Sequence, residues 1–444
     1  MSSAAEQLAA TFSFQSFKKA DDLKKRIWFT LGALIVYRLG TFIPAPGIDA
    51  AAMEALQSRN AGGLLSMFNT FGGGALGRMT IFALSIIPYI SASIIMQLMS
   101  SIVPQLEAIK KDGESGRKRI NQYTRYLTVL LAFSQSLAVS IGLESMQNSP
   151  VVDPGLVFKV SFVTSLVGGT VFLMWLGEQI TSRGIGQGSS LIIFAGIISS
   201  LPQGLAILFE MGRNRTISPL FLIAVLVGSL AVIAFIVFIE RSYRKIMIQY
   251  PKRQQGNKMY GGNSSHLPLK LNTPGVIPPI FAQALLGFPA MITGFSGGTG
   301  MLSKFAAYFQ HGSWGFIIIY LTLITFFAFF YTGIVFNSEE TAKNLHKNGA
   351  IILGVRPGKN TADYLDYILT RLTVAGAAYI GTVCVMPEIF TMYSAIPIAM
   401  GGTGMLIVVS VTIDTVTQIH SHLIAQQYEG LMRKSMIKKR GNRR

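Results

Sequence analysis

Ten apolar stretches, each approaching the about 20 residues that cross a bilayer core, run through this chain near 27–43, 79–103, 126–143, 156–180, 189–209, 217–239, 273–296, 315–336, 372–391 and 401–422. Lipid offers no partner to a bare peptide group, so each stretch must satisfy its own backbone and is read as a helix. The predicted fold class is all-α, a polytopic membrane protein with ten transmembrane helices. Charged residues make up 13% of the chain, about half the share of a soluble domain. The first stretch holds Arg38 and follows a long polar leader, so it reads as a span and not as a cleaved signal peptide.

The net charge of +18 points to nucleic acid only if it forms one surface. With the N-terminus in the cytoplasm and the sides alternating, most of the 38 Lys and Arg fall in cytoplasmic segments. These include Lys18 to Arg26, Lys110 to Arg125, Arg241 to Lys270, Lys343 to Arg371 and the tail from Arg433. Positive charge stays inside, so most of the charge is topological. The organisation follows: a cytoplasmic segment at 1–26, a first half at 27–209, and a sixth span with its outer loop at 210–239. A cytoplasmic loop at 240–272, spans seven and eight at 273–336, a second long loop at 337–371, spans nine and ten at 372–424 and a basic tail at 425–444 complete it. The tail suits contact with anionic membrane lipid.

Ten spans divide into two sets of five, and an odd number inverts the second set relative to the first. Span two reads IIPYISA from Ile86 and span seven VIPPIFA from Val276, so Pro88 matches Pro278 and Ile90 matches Ile280. Span five has QGSSLII ending at Ile193, and span ten has GGTGMLI ending at Ile407. The prolines predict kinked spans flanking a central path.

Between spans one and two lies GGLLSMFNTFGGG, residues 62–74. As a helix it reaches roughly half a bilayer core. It is apolar at Leu64, Leu65, Met67, Phe68 and Phe71, and fenced by Gly62, Gly63 and Gly72, Gly73 and Gly74, which permit hinge angles. A packed re-entrant loop without motion is the alternative.

No metal, cofactor or enzyme is predicted. Cys384 is the single cysteine, and no Cys/His cluster stands out. GVRPGKN at 354–360 fails as a phosphate loop, with three residues between its glycines and Asn360 where Ser or Thr would hold magnesium.

Five blocks carry a resemblance: SIIPYISASIIMQLM (85–99), WLGEQITSRGIGQGSSLIIFAGI (175–197), HLPLKLNTPGVIPPIFA (266–282), FNSEETAKNLHKNGAIILGVRPG (336–358) and GGTGMLIVV (401–409). In order, over nearly the whole chain, they resemble the SecY family of protein-conducting channels. The resemblance implies two pseudo-symmetric inverted five-helix halves around an hourglass pore. It implies a waist ring at Ile86, Ile90, Ile193, Ile197, Ile280 and Ile407, and a plug helix at 62–74 beneath it. Such a channel passes unfolded secretory chains and releases signal sequences and membrane helices sideways. The residues agree, since Ile86/Ile90 and Ile193/Ile197 are i,i+4 pairs. An apolar constriction also gates by dewetting.

By the same resemblance the long loops dock a ribosome, through phosphates and without sequence reading, or the SecA motor ATPase. The docking residues are Arg356 in the GVRPG turn and Lys252, Arg253 and Lys258, although Asn257 stands where relatives often carry a second basic residue. SecE-type and SecG-type small subunits are the implied membrane partners, and signal peptides and nascent polypeptides the cargo. Gln97 and Asp414, each seven residues past a ring position, are expected in a cytoplasmic vestibule about 10 Å from the ring. Asp414 reads as the one acid deep in a span. A secondary transporter with inverted repeats is the rival reading.

Overall fold

The computed structural model describes residues 21–49, 52–53, 69, 71–145, 149–214, 217–250, 253–255, 258–260, 264–295, 313–394 and 401–441. The first half carries helices α1 (Asp21–Gly40), α2 (Ile87–Ile102), α3 (Pro104–Lys111), α4 (Glu114–Ser145), α5 (Leu156–Arg183) and α6 (Gly188–Arg213). Helix α7 (Pro219–Glu240) leads to strands β1 (Tyr243–Gln249), β2 (Arg253–Gln255), β3 (Lys258–Tyr260) and β4 (Ser264–Lys270). Helices α8 (Ile277–Phe295), α9 (Trp314–Val335) and α10 (Ser338–Lys347), strand β5 (Ile351–Ile352), and helices α11 (Lys359–Ser394) and α12 (Gly402–Gly441) follow. Each of the ten apolar stretches carries a helix; α3 and α10 lie outside them.

Local chemistry sets several boundaries. Ser218 caps α7 by accepting from the Phe221 N–H at 3.3 Å, with Pro219 at the first helical position. Ser313 caps α9 through the Phe316 N–H at 3.1 Å, and Asn337 caps α10 through that of Glu340 at 3.1 Å. Pro104 forces Val103 into an extended conformation, and α3 leaves α2 at 98°. Buried hydroxyls are satisfied inside their own helices. Thr128 donates to the Thr124 carbonyl at 2.7 Å and Ser140 to that of Leu137 at 2.8 Å.

Span two departs from expectation. Its helix begins at Ile87 and not near residue 79, and residues 72–86 form irregular turns. Met79 (φ 42°) and Ser85 (φ 51°) are left-handed there, a conformation that costs a non-glycine residue about 1–3 kcal/mol. The segment pairs with residues 43–45, the Ala45 N–H donating to the Met79 carbonyl at 2.9 Å and the Ile81 N–H to that of Ile43 at 3.0 Å. Ala75, Met79, Phe82, Leu84 and Ile86 are buried, so this irregular backbone is enclosed in protein as lipid demands. Pro88 and Pro278 are therefore not mid-helix residues. Each lies in the first turn of a helix, where the missing N–H has no partner to lose.

Packing joins α4 to α5 and α2, and α9 to α8 and α11. Two seams connect the chain's first and second halves. At one, α8 packs on α2 and α4; at the other, α6 and α1 pack on α12. Helix α7 leaves Leu220, Ile223, Val227 and Leu230 exposed, a surface that suits hydrocarbon.

The two long loops fold together, which the sequence reading did not foresee. Strand β1 pairs antiparallel with β4, Tyr243 opposite Lys270, and β5 from the second loop pairs on its other edge, Ile248 opposite Ile352. Ile246, Leu269, Ile352, Leu365 and Leu369 form a small core beneath. Asn272 Nδ2 donates to Glu240 Oε1 at 2.6 Å, tying the end of α7 to the entry of α8.

Close helix approach generates a stability prediction. A Cβ on Gly402 would collide with the Val383 carbonyl oxygen, whereas one on Gly333 meets nothing within 4 Å. Gly402→Ala should destabilise the protein by about 1–3 kcal/mol. Gly333→Ala should leave it unchanged or slightly stabilised. Thermal unfolding of the two variants in detergent, run side by side, checks this.

Candidate pore constriction

Aliphatic side chains from distant parts of the chain meet at one place. Ile86 and Ile90 from the start of α2, Ile193 of α6, Ile280 of α8 and Ile407 of α12 wall a single chamber of ≈ 30 Å³. That is room for about one or two waters. Ile86, Ile193 and Ile407 are buried, while Ile90 and Ile280 are half-buried against the same core. Both repeat-equivalent pairs, Ile90/Ile280 and Ile193/Ile407, are thus on this wall. Ile86 caps α2 instead of lying within it, but the Ile90 N–H donates to its carbonyl at 3.1 Å, which keeps the two one turn apart. Ile197 is fully buried in the same cluster, one turn along α6, and is not on the chamber wall.

Phe71 also lines the chamber. It is the one apolar residue of the 62–74 segment within the described residues; Leu64, Leu65, Met67, Phe68, Gly62 and Gly63 lie outside them. The glycine triplet that follows is held from several sides. Tyr37 Oη donates to the Gly72 carbonyl at 3.3 Å, and Arg38 Nη1 to that of Gly73 at 2.7 Å. Asn69 accepts from the Gly74 N–H at 2.8 Å through its carbonyl and from the Gly77 N–H at 2.7 Å through Oδ1. Gly73 and Gly74 have φ of 64° and 88°, angles a side chain would oppose. A Cβ on Gly196 of α6 would strike the Phe71 carbonyl. The Arg38 guanidinium further stacks on Phe42, 4.9 Å from the ring centroid, with Arg78 stacked on the same ring at 4.6 Å.

Ile86 also borders a second, polar cavity of ≈ 510 Å³, walled by Ser93, Asn121, Gln187 and Ser189 among others. Arg125 and Glu178 meet there in a two-pronged ion pair at 2.8 and 2.7 Å. A largely aliphatic chamber and a polar cavity thus share one isoleucine as their boundary.

The remaining expected site residues are scattered. Gln97 is half-buried, its Nε2 3.4 Å from Ser93 Oγ, and lines neither cavity. Asp414 is exposed, with Lys270 at 3.8 Å, a contact between the end of β4 and α12. It is not the deepest acid, because Glu388 is buried in α11 at 7% exposure. Arg356 is exposed in the turn after β5, where Thr361 Oγ1 donates to its carbonyl at 2.9 Å. Arg253 and Lys258 lie on the paired strands β2 and β3, and Lys252 lies outside the described residues. Among the described residues no group of three or more His, Cys, Asp or Glu is placed to hold a metal.

Arg38, which holds Gly73, and the polar wall residues Ser85 and Gln283 were not singled out as site residues by the sequence reading. Arg38 carried a usable signal, a cation inside an apolar span. Gln283, on the chamber wall, carried none beyond its place three residues after Ile280.

The SecY family model matches residues 80–416. The protein translocase subunit SecY of Rickettsia typhi is 54% identical over 427 residues, 95% of this chain and 99% of the relative. That of Escherichia coli K12 is 49% identical over 431 residues, 96% and 97% respectively. A solved protein-conducting channel superposes with a TM-score of 0.65 at 19% identity, covering 90% of this chain and 92% of its own. Canine Sec61, solved in a ribosome–channel complex from the endoplasmic reticulum, gives 0.62 at 18% identity with the same coverage. With its apolar helices, its isoleucine chamber and relatives matched over nearly their whole length, this multi-pass membrane protein belongs to the SecY family.

Proposed function

We propose that this protein is a gated conduit for unfolded polypeptides in the bacterial inner membrane, with both termini cytoplasmic. The observation that carries the reading is the chamber walled by isoleucines from α2, α6, α8 and α12 and reached by Phe71. A branched aliphatic collar has no polar group to grip a passing chain and sheds water when closed. Residues 62–74 act as the plug beneath it. The seam of α8 against α2 and α4 opens sideways to release signal sequences and membrane helices into lipid. SecE-type and SecG-type subunits brace the outside of the bundle. The protein is not an enzyme, so driving force comes from the SecA motor or a ribosome. These dock on the two long cytoplasmic loops, through Arg356, Lys252, Arg253 and Lys258. Gln97 and Asp414 face the cytoplasmic vestibule. The test is a stalled secretory chain in membrane vesicles, offered to variants with Ile193→Cys or Ile407→Cys. Crosslinks to both place the chain in the chamber; crosslinks to neither remove it.

Ile407 is 1% exposed, and Ile407→Asn would bury an unpaired amide in the closed state that water relieves in the open one. The expected result is greater ion leak and secretion of substrates with defective signal sequences. Conductance across a planar bilayer and export of such a substrate measure these.

Arg356→Glu should leave conductance intact and weaken motor- or ribosome-driven transport, because it sets like charges against an acidic or phosphate-bearing partner. Binding of each partner to vesicles, measured beside transport, separates docking from conduction.

Arg38→Met should free the plug's trailing end. A charge-assisted hydrogen bond contributes about 1.5–3 kcal/mol, so the closed state should weaken by at least about tenfold. Leak between substrates should rise while transport continues; unchanged leak would assign the Arg38–Gly73 contact to folding alone.

A further inference from the structure

The chamber wall carries two polar side chains that a purely aliphatic seal would lack, Ser85 and Gln283, and only Gln283 offers both a donor and an acceptor of amide type. Gln283 lies on its wall, is 3% exposed, and both its Oε1 and its Nε2 are fully buried without a hydrogen-bond partner. Most buried polar groups in native proteins are paired, and one that is not needs a reason. Packing does not supply it. The chamber neighbours on its own helix are Ile280 and Ala284, and elsewhere on the wall stand Ile90, Ile193 and Ile407, none of which has a side-chain group to pair with a carboxamide; the one hydroxyl on the wall, Ser85 Oγ, is itself buried and unpaired. The residue sits three positions after Ile280 and so shares its face of α8.

We propose that Gln283 is the polar contact for the main chain of the polypeptide in transit. The proposal rests on the conduit reading above. A primary carboxamide offers one acceptor oxygen and an NH₂ donor, the complement of a peptide group. Every residue except proline carries both a backbone donor and an acceptor. The contact is therefore indifferent to side chains, as a channel for varied cargo needs. It also discriminates by conformation. An extended segment has free N–H and C=O groups to offer, whereas a helix has spent them internally. Gln283 thus favours chains crossing in extended form over helices leaving sideways. In the resting state the same unpaired amide weakens closure. Together with its ring neighbours it sets how readily the chamber opens.

The test replaces the amide by a side chain of similar length and no hydrogen-bonding capacity, Gln283→Met, in membrane vesicles from cells in which the variant is the sole copy. An unpaired buried group is worth about 5–150-fold in the equilibrium it opposes. The expected results are lower ion leak and equal or higher thermal stability. Translocation of an extended secretory chain should slow by about fivefold or more, with little change in insertion of a single transmembrane helix. Gln283→Asn, which keeps the amide on a shorter stem, should recover part of the translocation rate. A variant that translocates at the normal rate, or that is less stable than the parent, overturns the proposal, since a structural amide would behave that way. The Ile407→Cys crosslink separates the two failures. If the stalled chain reaches Ile407→Cys and Gln283→Met is silent, only this inference falls; if the chain does not reach the chamber, both fall.

Discussion

A peptide group in hydrocarbon must find its hydrogen bonds within the protein, and residues 72–86 are where that demand is hardest to meet. The segment leaves helical geometry at membrane depth. Its N–H and carbonyl groups are met by residues 43–45, by Asn69, and by Tyr37 and Arg38 of α1. Only then does the chain enter α2 at Ile87, with Ile86 fixed at the cap. The position of the chamber therefore depends on this pairing. If the segment were helical, α2 would start earlier, and the isoleucines would lie at other heights and on other faces.

The same economy shapes the chamber and its polar neighbour. Isoleucine against isoleucine excludes water without any pairing to satisfy, and the unpaired groups on that wall are confined to Gln283 and Ser85. Beyond Ile86, where the wall turns to hydroxyls, amides and the Arg125–Glu178 pair, water is admitted and the interactions are directional. One surface is held by non-directional packing and the other by directional bonds. The hydrogen-bonded glycines beside Phe71 belong to the second kind. Motion of residues 62–74 must either break the Arg38–Gly73 contact or turn about a point before it.

Much of this was legible in the chain. Ten runs of apolar residues were enough for the spans, because length and hydropathy alone decide what lipid accepts. The match of Ile90 to Ile280 and of Ile193 to Ile407 anticipated residues that do share a wall, although their role came from family resemblance. Other features were hidden for physical reasons. The start of α2 depends on pairing between residues 43–45 and 79–81, which no local pattern encodes. The β1–β5 pairing joins loops separated by two spans, and β5 is two residues long, too short to announce itself. Asp414 stood out because acids are rare in apolar sequence. Its contact with Lys270 shows a helix emerging into water, whereas Glu388 sat near the end of a soft boundary and went unnoticed.

That late pairing of β5 has a consequence for how the protein is made. Strands β1 and β4 belong to one loop and can close once residue 270 has left the ribosome. Strand β5 comes only after α8 and α9 have been made. The three-stranded platform is therefore complete only once those two spans have been threaded and both loops have arrived on one side. A chain inserted with α8 or α9 on the wrong side has no third strand and leaves the edge of β1 open. The finished sheet is thus a record of correct topology, written late in synthesis on the surface that partners are proposed to read.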